Sequence, residues 1–89
     1  MMDVQLIRDD ESVPRSEEFV QVACWCDQDG TGTVARIERV FPEESQGTQR
    51  RRRVIVNDYP LSEEDALWLA AMFANFFGLR MLYASPGTY

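Results

Sequence analysis

Three groups of side chains in this 89-residue chain are of types that do chemistry. Cys24 and Cys26 flank Trp25, four arginines stand in a row at Arg50, Arg51, Arg52 and Arg53, and side-chain oxygens recur through residues 27–38. Two thiols one residue apart lack the two-residue spacing of a redox pair, and a zinc site would need two more ligands. They read as small side chains of a core strand. Arginine grips phosphate bidentately. At the head of a strand, however, four arginines alternate between both faces, so they read first as edge protection or as partners for Asp and Glu on neighbouring strands. Nucleic-acid contact is the alternative, with Tyr59 or Trp25 as stacking groups. The chain has no His, which removes the commonest general base and metal ligand at neutral pH. No pair of carboxylates is brought together by spacing, so neither an enzyme nor a cofactor is expected.

Residues 27–38 (DQDGTGTVARIE) resemble the calcium loop of EF-hand proteins: Asp27 and Asp29 at the first two ligand positions, Thr31 and Thr33 following, Gly32 at the sharp turn and Glu38 at the bidentate end. The resemblance implies a calcium-binding domain. An EF-hand needs a helix on each side, whereas FVQVACWC before the loop has strand character and Pro42 limits any exit helix to about one turn. An Asp-Gly turn joining two strands is the leading reading, and calcium is held as an alternative.

A fourth feature is apolar. Residues 66–74 (ALWLAAMFA) contain no polar side chain. At 100° per residue the apolar arc spans roughly 220°, against about 100° for an ordinary surface helix. If Leu69, Phe73, Ala66 and Phe77 face a sheet, Trp68 is left near the rim with Met72 between, so the expected partner-binding set is Trp68, Met72, Leu67 and Ala71, together with Trp25 on its strand.

These residues need a scaffold, and the pattern supplies one. Strands are expected over residues 3–8, 19–26, 33–41, 50–57 and 79–84, with an Asp-Gly reversal after the second and a slip of alternation near Glu38 and Arg39 that marks a bulge. NDYP (residues 57–60) reads as a turn. Ser62 opens a helix over residues 62–77: its hydroxyl caps the third amide, Asp65 reaches back and Leu61 staples against Ala66. Gly78 supplies the left-handed C′ residue. The expected fold is α+β, a mostly antiparallel four- to five-stranded sheet with one long helix packed on one face, in the order β-β-β-β-α-β, as a single domain over residues 1–89. A strand-helix-strand crossover sets the last two strands parallel.

Composition bounds the rest. At 45% hydrophobic and 27% charged the chain has the makings of an ordered domain. The net charge of −6 lies in the first half: residues 1–49 hold eleven acids against four Arg, residues 50–89 four against five. Such a domain is repelled by nucleic acid and anionic membranes at long range and attracted to basic protein surfaces. No stretch approaches the roughly 20 apolar residues of a membrane span, and the N-terminus lacks signal-peptide character, so a cytoplasmic location is expected. The expected function is a small, acidic, non-enzymatic protein-binding module of adaptor or inhibitor type. Its partner would be another protein or a second copy in a homodimer, a profile shared by bacterial and phage accessory proteins.

Overall fold

FVQVACWC makes a strand because β-branched and aromatic side chains fit a pleated surface, and alternation sends successive ones to opposite faces. In a computed structural model it is the central strand of a five-stranded sheet. The structure describes residues 4–8, 16–26, 32–42 and 51–85. The elements are β1 (Gln5–Ile7), β2 (Phe19–Cys26), β3 (Thr33–Val40), β4 (Arg52–Pro60), α1 (Glu63–Phe76) and β5 (Met81–Ser85). The fold is α+β with one helix on one face of the sheet, in the expected chain order.

The order in space is β1-β5-β2-β3-β4. β2 and β3 form a regular antiparallel hairpin from Phe19↔Val40 to Cys26↔Thr33, and β3 pairs antiparallel with β4. β5 inserts parallel between β1 and β2. The antiparallel ladders carry eight and six residue pairs against three and four in the parallel ones, so the sheet is mostly antiparallel. The last two strands do run in the same direction, but β2 and β3 lie between them: α1 carries the chain across two strands, not one.

The NDYP turn is corrected: Asn57, Asp58, Tyr59 and Pro60 continue β4. Pairing with β3 slips between Ala35 and Ile37 and again between Ile37 and Glu38. The bulge therefore falls where the alternation of β3 fails, but the extra residues belong to β4, since β2 pairs with β3 without a break. Asp58 takes φ 48°, a left-handed conformation that a short carboxylate tolerates. Arg36 donates to both its oxygens, at 2.9 and 3.1 Å. A Pro ending an edge strand forfeits no ladder donor that a neighbour needs.

Helix α1 begins and ends as its sequence dictates. Ser62 Oγ accepts from the Asp65 amide at 3.1 Å. At the other end Gly78, φ 72°, allows its own amide to reach the Asn75 carbonyl and the Leu79 amide to reach that of Ala74, at 3.1 and 2.8 Å, the Schellman pattern. Ala66, Ala70 and Ala74, one turn apart, are fully buried against a cluster that includes Val20, Val22, Ala35, Ile37, Leu82 and Ala84. The face of the sheet away from the helix has a second cluster of Ile7, Phe19, Val40, Met81 and Tyr83, in which the Phe19 and Tyr83 rings meet edge to face at 6.1 Å.

Alanine is required along that inner ridge, because a larger side chain would push the helix off the sheet. Ala70→Leu is expected to cost about 1–3 kcal/mol by overpacking, read as a lower urea midpoint with an unchanged slope.

Candidate functional site

A helix side chain two residues from another lies about 200° around the axis, so burying Ala66, Ala70 and Ala74 turns Trp68, Met72 and Phe76 outward. These three are 61%, 41% and 81% exposed and form a single ridge at four-residue spacing. Among the described residues the remaining large exposed apolar side chains, Leu6, Val54 and Tyr59, are on β1 and β4. The expected inward residues Leu69, Phe73, Ala66 and Phe77 all meet the core, but the centre of the inner face is the row Ala66, Ala70 and Ala74. The alanines take the centre, while Leu69, Phe73 and Phe77 reach down one flank, half-buried, and Leu67 and Ala71 down the other. Of the sequence-derived partner set, Trp68 and Met72 therefore stand on the outer ridge, whereas Leu67 and Ala71 pack toward the core.

Phe76 is absent from that set, although its spacing from Met72 places it on the same ridge. Its ring meets Phe77 edge-on at 5.5 Å, and Phe77 stacks on Phe73 at 6.3 Å, so this exposed aromatic is tied to half-buried ones. Over Phe77, at 4.2 Å, lies the Arg39 guanidinium, which also donates to Glu18 and approaches Phe41. Arg39 is on the helix-covered face of β3, where a sequence pattern gives no reason to place a cation. It clamps the C-terminal end of the ridge, and Arg80, bound to Glu17 at 3.0 Å, stands at the same end. The first helical turn carries Glu63, Glu64 and Asp65. One end of the helix thus carries three carboxylates, while the arginines near the other are each paired with a carboxylate, Arg39 with Glu18 and Arg80 with Glu17.

Trp25 is half-buried on β2, pointing to the face away from the helix, with the Arg36 guanidinium 5.7 Å from its ring. It is not contiguous with Trp68. Beside it a cleft of about 350 Å³ opens at the ends of β2 and β5, lined by Cys24, Cys26, Glu63, Leu67 and Arg8 among others. The cysteines are both free; Cys24, half-buried, packs against the main core, whereas Cys26 is exposed and is not the core residue expected. Arg8 and Glu63 approach to 3.9 Å across this region.

Arg52 and Arg53 occupy the exposed edge strand β4, with Arg51 just before it; Arg50 lies outside the described residues. Arg52 donates to Gln21 at 2.8 Å and comes within 3.9 Å of Glu38. Arg51 lies over the Phe41 ring at 5.3 Å. Register pairs Arg53 with Arg39 and Arg52 with Val40, so their side chains leave opposite faces of the sheet. Asp27, Asp29 and Thr31 of the calcium alternative lie outside the described residues. Thr33 and Glu38 are on opposite faces of β3, five residues or about 17 Å apart along an extended strand. An EF-hand brings the corresponding positions together between two helices, whereas the strands β2 and β3 flank this segment. Among the described residues no three His, Cys, Asp or Glu side chains are grouped to hold a metal ion, and no helix is long and apolar enough to cross a membrane.

Comparison of the chain with protein-family models, with curated proteins and with solved structures finds no match.

Burial raises the Cys24 thiol pKa above its ordinary value, and the nearby Glu63 carboxylate adds to this. The thiolate fraction at a given pH is correspondingly small. With iodoacetamide at pH 8, Cys26 is expected to be alkylated first and Cys24 to lag, the lag shortening as pH rises through the raised value; peptide mapping reads both. Because the folded state holds the Cys24 proton more tightly than the unfolded state, the same shift removes stability as pH climbs above the ordinary thiol range.

Proposed function

We propose that this chain is a non-enzymatic protein-binding module that docks through the outer ridge of α1, with Trp68, Met72 and Phe76 as anchors. The observation that carries the reading is the inverted use of residue size on one helix: alanines against the sheet, and a tryptophan, a methionine and a phenylalanine against water. Aromatic and Met side chains are what protein interfaces concentrate at their centres, and contiguous exposed apolar surface on a small domain marks an interaction site more often than chance. The helix presenting them is capped at both ends and seated on the main core, so the anchors are held before a partner arrives. Glu63, Glu64 and Asp65 at one end supply the acidic flank that the charge distribution implies. A nucleic-acid contact through Arg50, Arg51, Arg52 and Arg53 draws less support, since of the described residues Arg51 and Arg52 are engaged within the chain and Arg52 and Arg53 leave opposite faces.

Immobilised protein exposed to lysate of its native host tests the reading. Wild type and a variant with Arg50, Arg51, Arg52 and Arg53 replaced by Gln are expected to retain the same protein at stoichiometric levels, whether a second copy or another chain. Trp68→Glu is expected to fold, by far-ultraviolet circular dichroism, and to lose that protein by about 30-fold or more in affinity, the roughly 2 kcal/mol of an interface hot spot. Retention of the partner by Trp68→Glu, or salt-sensitive RNA or DNA lost with the arginines, would overturn it.

A further inference from the structure

Among the described residues the pairing of β2 with β5 ends at Ala23↔Ser85, one position before Cys24. On its other side β3 sets only Ala35 against Cys24 and Thr33 against Cys26. Small neighbours on one side and the end of a ladder on the other leave open space here, which is the cleft of about 350 Å³. Strand alternation puts both thiols on the same face as Val22, and all three residues line that cleft. We infer that Cys24 and Cys26 together form a two-coordinate site for a soft monovalent metal ion, copper(I) in kind.

Spacing separates this chemistry from the other that two thiols offer. Alternate residues of a strand stand about 6.7 Å apart at Cα, near the upper limit for a disulfide, whose sulfurs must close to about 2 Å. Both cysteines are free. Two collinear metal–thiolate bonds of about 2.3 Å each leave the sulfurs about 4.6 Å apart. Staggered rotation about the two Cα–Cβ bonds reaches that separation with the strand unmoved.

The donor set then selects the ion. Thiolates favour copper(I), zinc and iron–sulfur clusters, but structural zinc and the clusters each ask for four protein ligands. The chain has no His and only these two Cys, and among the described residues no three His, Cys, Asp or Glu side chains are grouped to hold a metal. A filled-shell monovalent ion is satisfied by two thiolates in line. Its single charge is also the least costly to bring beside the apolar walls of the cleft, Val22, Leu67 and Ala84. Exposed Cys26 gives the ion a way in, with Cys24 behind it. Binding breaks two S–H bonds, forms two S–metal bonds and releases both protons to water. The site lies on the helix-covered face of β2, apart from the outer ridge of α1, so it does not depend on docking there.

Copper(I), offered to the full chain without oxygen as its acetonitrile complex and then contested by the chelator bicinchoninate, is the test. Wild type is expected to hold one ion per chain, with two sulfur neighbours in the copper X-ray absorption spectrum, and to lose zinc on gel filtration. Cys24→Ser and Cys26→Ser, each checked for folding by circular dichroism, are each expected to weaken copper retention by about 100-fold or more, beyond the loss from removing a supporting contact. Wild type that holds copper no better than either variant would show thiols acting singly and overturn the inference. One ion shared between two chains, with Cys24→Ser unaffected, would overturn it as well, as would a copper spectrum dominated by nitrogen or oxygen neighbours.

Discussion

The contact on which the rest of this structure depends is the close seat of three alanines on the sheet. Ala66, Ala70 and Ala74 are wholly buried, and beneath them the strands offer Ala35 and Ala84 beside Val20, Val22, Ile37 and Leu82. Small side chains on both sides let backbones approach, and close approach makes many weak dispersion contacts out of little volume. The same contact fixes the rotation of the helix. Once the alanines point in, Trp68, Met72 and Phe76 have no alternative to pointing out, because the four-residue rows of a helix turn as a unit. The candidate site is the far side of the packing decision that builds the core.

Both ends of that helix are held by independent means. Ser62 and the Gly78 turn close its hydrogen bonding, while Arg39, lodged between Phe77, Phe41 and Glu18, ties its last turn to β3. A cation among aromatic rings on the covered face of a sheet is tolerable because the guanidinium stacks and keeps a carboxylate partner. The edge of the sheet is managed separately. β4 carries two irregularities, an Asp in a left-handed conformation, a terminal Pro and arginines at its start, features that discourage strand-to-strand association. An edge guarded in this way is a poor template for an added strand.

What could be read from the sequence was the local chemistry. β2 is where FVQVACWC places it, Ser62 caps the helix and Gly78 ends it, because each depends on residues a few positions apart. Trp68 and Met72 were legible as outward residues for the same reason. The rotation of the helix was less so: a segment apolar on nearly every side has no polar face to set its direction, and only the difference between alanine and larger side chains decides. Leu67 and Ala71 pack inward on that account, and Phe76 emerges on the ridge. NDYP shows the opposite failure, since turn residues were absorbed by bulges that depend on β3 across the ladder. The insertion of β5 between β1 and β2 likewise joins residues too distant in sequence for any local signal to report.

The central claim is that the alanines face in and Trp68 faces water in the isolated domain. Tryptophan fluorescence of a Trp25→Phe variant, which leaves Trp68 as the single reporter, tests it most directly when measured well below micromolar concentration with acrylamide as quencher. Emission near that of free tryptophan in water, quenched almost as readily, is the predicted result. A blue-shifted emission that acrylamide barely reaches would place Trp68 in the core and contradict the account.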